Sequence, residues 1–157
     1  MLFLDVSLDI TTFRLEGFGF RDRSYTIPRN LAAYQDDIDL GEQVENVRVD
    51  VVGGVDTRMR RVFLTLEAVD PATGHAPDNL SAGVVPPNPE NGTVGQGYFS
   101  FRVRVLRDTP RGTRVGARAS IFFDDEAPVI TPEIFNTIDH GPATSVQVLS
   151  KPSAPHT

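Results

Sequence analysis

Apolar and polar residues alternate with a period of two along most of this chain. Leu2, Leu4, Val6, Leu8 and Ile10 alternate with Phe3, Asp5, Ser7 and Asp9. Val47, Val49 and Val51 alternate with Arg48 and Asp50, and Val62, Leu64, Leu66 and Ala68 with Phe63, Thr65 and Glu67. Phe99, Phe101, Val103 and Val105 alternate with Ser100, Arg102 and Arg104. Successive side chains on a strand point to opposite faces, so each run predicts a half-buried antiparallel strand. Shorter runs predict further strands at 12–15, 25–27, 34–40, 114–123, 134–137 and 145–149. No window carries a sustained helical period with caps. The expectation is an all-β fold, an antiparallel two-sheet Ig-like sandwich, with a closed barrel as the competing architecture.

Composition refines this picture. A chain of 157 residues suits one domain, expected over 1–149, with residues 150–157 as a disordered tail or linker. Thirteen Gly and twelve Pro fall between the apolar runs, as they do in a protein of many short strands. They concentrate in 70–97, which predicts one long Pro/Gly-rich loop. With no Cys there is neither a disulfide framework nor a thiolate site. No stretch has the uncharged apolar length that spans a bilayer, so no membrane insertion is expected. The start, MLFLDVSLDI, lacks a basic leader region and carries Asp5 and Asp9; either an export signal lies upstream or there is none. The basic residues are fourteen Arg and a single Lys, Lys151, so a core Lys–Asn isopeptide crosslink is closed to this body.

Four segments resemble a sandwich domain of unknown function found in very large secreted and surface proteins of bacteria, beside Ig-like, Calx-β and hemolysin-type calcium-repeat modules. They are ITTFRLEGFGF at 10–20, DPATG…APDN…AG…PPN over 70–88, GQGYFSFRV at 95–103, and ASIFFDDEAPVITPEIFNTID at 119–139. The family usually has aspartate, a small polar residue, then asparagine where this chain has Asp124, Asp125 and Glu126. Such domains also begin with one or more strands upstream of this starting point, and the resemblance sets the expectation of a first strand that is missing here or supplied in trans. The resemblance implies an extracellular, cell-surface setting and assigns no catalytic residue.

Calcium is the candidate cofactor. Asp124, Asp125 and Glu126 form an acidic turn with Asp139 beyond the next strand, and a turn between strands can supply several of the oxygens that calcium needs. A weaker set, Asp70, Asp78, Asn79 and Asn88, lies in the long loop, where Asx-turns explain the same spellings without an ion. Asp36, Asp37 and Asp39 read as a wet sheet face. Zinc is excluded by the lack of Cys and of paired His. Ser81, His75 and Asp78 share one loop with no rigid element to hold a triad. Arg102, Arg104, Arg107, Arg111, Arg114 and Arg118 cluster, but a net charge of −6 opposes binding to nucleic acid. Arg–carboxylate pairs on an outer face explain them better. Tyr25, Tyr34, Phe63, Tyr98 and Phe122 are candidate sugar-stacking rings, so polysaccharide is a candidate partner.

The function expected is therefore a non-catalytic extracellular structural module, a spacer or assembly unit that meets neighbouring domains or identical subunits. The alternatives are a filament subunit joined by β-strand complementation and a carbohydrate-binding accessory domain. Candidate assembly strands are Leu2, Leu4, Val6 and Leu8 at one end and Val146 and Val148 at the other.

Overall fold

The computed structural model describes residues 1–41, 47–78, 84–85, 95–124 and 126–139. Among them the regular structure is all β, and every strand pair is antiparallel. One sheet has the order β1 (Leu2–Phe3), β6 (Arg61–Val69), β5 (Arg48–Asp56), β4 (Ala33–Asp39). The facing sheet has the order β3 (Arg23–Thr26), β2 (Leu8–Phe20), β7 (Gly97–Val105). Two short ribbons complete the described fold. They pair β8 (Arg114–Ala117) with β11 (Ile134–Thr137), and β9 (Ser120–Ile121) with β10 (Val129–Ile130).

The core lies between the two larger sheets. Val49, Val51 and Val62 enter it from one side and Phe13, Leu15, Phe18 and Phe20 from the other, all but inaccessible to water. Val49, Val51, Val62 and the β7 run obey the period-two reading. The facing strand obeys it only in pieces. In β2 the inward residues change parity, from even to odd at Phe13 and back to even at Phe18. The register shifts against β7 at two places, between Asp9 and Arg14 and between Leu15 and Gly17. A bulge adds an unpaired residue and turns the following side chains over, which is how one strand serves one core with both parities. Local chemistry makes the first shift. Asp9 Oδ1 accepts hydrogen bonds from the Thr11 N–H (3.1 Å) and hydroxyl (2.6 Å), and Thr12 Oγ1 takes the Arg104 N–H that the ladder would have used (2.8 Å).

The segment GFGF, beyond the strand expected at 12–15, forms the last four residues of β2. Its glycines permit close approach. A Cβ on Gly19 would stand 2.6 Å from the Arg23 carbonyl oxygen and 2.4 Å from the Tyr98 ring, which lies across this position. The Tyr98 hydroxyl bonds Ser24 Oγ at 2.8 Å, fixing the ring there. Gly19→Ala is therefore expected to cost about 1–3 kcal/mol, because the backbone oxygen cannot swing aside. Urea unfolding of the variant measures it. The turn that follows places Arg21 and Asp22 at φ 50° and 61°, a type I′ hairpin built without the usual Asn-Gly. Arg21 is buried, and its Nε donates to the Val84 carbonyl at 2.9 Å.

The N-terminal alternation does not make one strand. Asp5 Oδ1 accepts from the Ser7 N–H (2.8 Å) and hydroxyl (2.6 Å), and the Leu8 N–H returns to the Asp5 carbonyl (3.1 Å). This Asx-turn breaks the run between β1 and β2. Leu2 and Leu4 are buried, Leu8 opens β2 half-buried, and Val6 is thrown out to 76% exposure. Arg60 holds the turn from below. Its guanidinium donates to the carbonyls of Leu4 (3.4 Å), Asp5 (2.7 Å) and Leu8 (2.6 Å), while its own carbonyl accepts the Leu4 N–H (2.8 Å).

Candidate functional site

The part of the molecule with the most unusual surface is the hairpin of β8–β9 and β10–β11. The first arm, expected as one strand over 114–123, is interrupted at Arg118. Its partner is interrupted at 131–133, so the hairpin bends as it crosses the domain. Its tip is closed by the Glu126 N–H donating to the Phe123 carbonyl (2.9 Å). Six large apolar side chains stand exposed on it: Phe122, Phe123, Val129, Ile130, Ile134 and Phe135. All four residues of β11 are exposed. The Arg114 guanidinium lies 3.5 Å above the Phe135 ring and 3.5 Å from Glu133, a cation–π contact with an ion pair at its side.

The hairpin is joined to the body through β1. Leu2 stands opposite Val62 of β6 on one side and opposite Ala119 on the other. The Met1 amine donates to the Ser120 carbonyl (2.6 Å) and the Ser120 N–H to the Met1 carbonyl (2.8 Å). Burial, and after it the charge of Arg61, holds the pKa of this amine below its usual range. β1 is thus a short bridge between β6 and β9. Beyond Met1 the two neighbours run on. β6 continues through Phe63 to Val69, and among the described residues nothing pairs with that stretch of its outer edge.

The acidic set does not converge. Asp124 sits at the hairpin tip with φ 44°, and Glu126 is exposed beside it. Asp139 lies at the open end, ion-paired with Arg111 at 2.8 Å. The arm between them covers residues 129–137, roughly 25 Å of extended chain. Asp125 lies outside the described residues. In the weaker set, Asp70 Oδ1 accepts the Ala72 N–H at 2.8 Å in an Asx-turn, Asp78 is exposed, and Asn79 and Asn88 lie outside the described residues, as does Ser81. Among the described residues no group of three or more His, Asp or Glu is arranged to hold a metal. Of the assembly strands, Leu2 and Leu4 are already spent in this molecule's own core, and Val146 and Val148 lie outside the described residues.

The sugar-stacking candidates separate. Tyr25 and Tyr34 pack their rings on Phe18 at 5.1 and 6.2 Å, Phe63 is half-buried, and Phe122 is exposed. Three of the clustered Arg do face carboxylates: Arg102 meets Glu16 at 3.7 Å, beside the Arg111 and Arg114 pairs.

An oxygen-rich face also lies on the outer side of β4 and β5, where Asp37 stands opposite Asp50 and Arg48 bonds Asp50 at 2.8 Å. At its edge the Tyr34 hydroxyl donates to Asp36. That hydrogen bond, followed by burial and the Asp36 charge, pushes the Tyr34 pKa up to about 12. A raised acid contributes stability below its ordinary value near 10, and the contribution is lost as pH climbs through the folded value. Ultraviolet titration is expected to show a late phase for Tyr34, and Asp36→Asn to move that phase to lower pH.

The sheets and their shared core define an antiparallel β-sandwich. Within it, a domain of unknown function, DUF7619, is matched by residues 81–137, which include β7 and the whole hairpin. No curated protein matches the chain, and no solved structure does.

Proposed function

We propose that this domain is a structural module of an extracellular bacterial surface protein, a spacer or assembly unit that packs against neighbouring polypeptide instead of turning over a substrate. The observation that carries the reading is the hairpin β8–β11 with its exposed apolar residues. Phe122 and Phe135 are 53% and 52% exposed, on a hairpin that touches the body mainly through β1 and Ala117. Apolar surface gathered on one element is a place where another chain is desolvated. The resemblance of 119–139 to modules of large secreted proteins supports the extracellular setting.

Light scattering tests the reading. The purified chain is expected to self-associate with concentration, and Phe122→Ser with Phe135→Ser to reverse it. A chain that never associates, or that associates equally well without the two rings, removes the hairpin as a joint. Calcium belongs to this reading only as an ion met by the tip carboxylates Asp124 and Glu126, without Asp139. A lower melting temperature in EDTA supports it, and an unchanged one removes it.

A further inference from the structure

On the outer face of the three-stranded sheet, a tyrosine of β7 reaches a serine of β3 across the strand between them. Residues paired across strands share a face, so Tyr98, Gly19 and Ser24 make one row and Ser100, Gly17 and Thr26 the next. Phe18 lies between these rows in sequence and points the other way, into the core, with Tyr25 and Phe99 beside it. β7 and β3 are two strand spacings apart, about 9.5 Å. The Tyr98 hydroxyl closes that interval by donating to Ser24 Oγ at 2.8 Å. The ring therefore lies flat over β2, one face on Gly19, where a Cβ would stand 2.4 Å from a ring carbon. Its other face is open to water, and Tyr98 is 45% exposed. The ring is fixed at both ends, by the β7 backbone and by Ser24.

Polar groups continue along the same face. Ser100 follows Tyr98 by two residues and Arg102 by four, steps of about 7 and 14 Å along β7. Ser100 Oγ donates to the Gly17 carbonyl at 3.3 Å and keeps its lone pairs for another donor. Arg102 stands opposite Arg14 of β2, and like charges so placed repel. Arg14 folds back, donating to the carbonyls of Thr11 at 3.0 Å and Phe13 at 2.5 Å. Arg102 meets Asn30 Oδ1 at 3.1 Å and Glu16 at 3.7 Å, yet its side chain stays 54% exposed. A guanidinium has five N–H donors, so these two contacts leave others for a ligand. Arg104, two residues further on, is exposed and makes no ion pair among the described residues. Asp9 stands opposite it, with Oδ1 engaged by Thr11.

We propose that this face binds a strand of acidic polysaccharide, with one pyranose ring on Tyr98 and the carboxylate of a following sugar at Arg102. A pyranose presents C–H bonds on its face and hydroxyls on its rim. The free face of Tyr98 takes the first, while Ser100 and the groups around Arg102 serve the second. Tyr98 is the one large ring on these outward rows, which is too little apolar area for the core of a protein interface. The net charge of −6 opposes a nucleic acid here as elsewhere on the chain. A carboxylate at Arg102 also offsets its repulsion from Arg14, which a neutral sugar cannot do. The surface shares no residue with the hairpin, so it stands whether or not the domain self-associates.

Calorimetric titration of the full chain with hexagalacturonate tests the proposal, with cellohexaose as the uncharged control. Hexagalacturonate is expected to bind at low salt, and cellohexaose to bind about tenfold more weakly or less. Tyr98→Ala and Arg102→Gln are each expected to weaken hexagalacturonate about tenfold. Tyr98→Phe, which keeps the ring but frees it from Ser24, is expected to fall between the natural chain and Tyr98→Ala. Circular dichroism checks that each variant is folded. No heat of binding with hexagalacturonate overturns the proposal, as does binding that neither Tyr98→Ala nor Arg102→Gln weakens. Cellohexaose bound as tightly as hexagalacturonate overturns the acidic ligand.

Discussion

Arg60→Ala is expected to lower the unfolding free energy by roughly 3 kcal/mol, because one guanidinium holds three carbonyls of the N-terminal turn. The cost reflects part-buried carbonyls that lose this donor more than a lost ion pair, with the Asp5 carbonyl keeping only the Leu8 N–H. Arg60→Lys keeps the charge but cannot serve three acceptors spread over Leu4, Asp5 and Leu8, so it recovers only part of the loss. The backbone gives an internal control. Arg60 stands at φ 53°, where a Cβ costs about 1 kcal/mol, so Arg60→Gly is expected to be milder than Arg60→Ala by about that amount. Denaturant unfolding of the three variants reads these differences. Amide exchange at Leu4 and Leu8 is expected to accelerate in all of them, since those amides bond within the clamped segment. The same turn is acid-sensitive. The Ser7 hydroxyl, then the Ser7 N–H, holds the Asp5 pKa below the usual carboxylate range. Its contribution is complete above the ordinary value near 3.8 and fades as pH falls through the lower folded value.

Phe18→Ala is expected to cost about 3–5 kcal/mol. Phe18 is 1% exposed, and its ring meets those of Phe20, Tyr25 and Tyr34 at 6.4, 5.1 and 6.2 Å. These rings come from β2, β3 and β4, which belong to both sheets, so the cavity opens at the seam of the sandwich. Neither sheet can relax into it without moving against the other. Thermal unfolding followed by near-ultraviolet circular dichroism measures the loss, and Phe18→Leu is expected to recover about half of it by refilling part of the volume.

Much of the fold was legible because its signal is local. The valines of β5, the β6 run and the β7 run alternate in sequence as they alternate in space. What escaped depends on chemistry that the alternation hides. The parity changes in β2 come from Asp9 and the two threonines after it, and a period-two reading carried across them misplaces Leu8 and Ile10 relative to Phe13. The break after β1 comes from Asp5 bonding Ser7, an Asp-x-Ser signal that was present but outvoted by five alternating apolar residues. The Arg21–Asp22 turn lacks the Asn-Gly or Asp-Gly pair that usually marks its type. Two-residue β10 is too short to leave a pattern.

In the candidate site, Asp139 was grouped with Asp124 by nearness in sequence. A strand lying between two residues separates them by its own length, and that much was readable. The bridging role of β1 was not: Leu2 meets Val62 and Ala119, positions far apart along the chain that only the tertiary fold brings together.

The outer edge of β4 gives the sheet a direction. Asp36, Asp37 and Asp39 all stand exposed along that strand, so two copies meeting there crowd three carboxylates from each against one another. Edge-to-edge pairing of two copies along β4 is therefore opposed by their own carboxylates, which gives this rim of the sheet a built-in bar against joining.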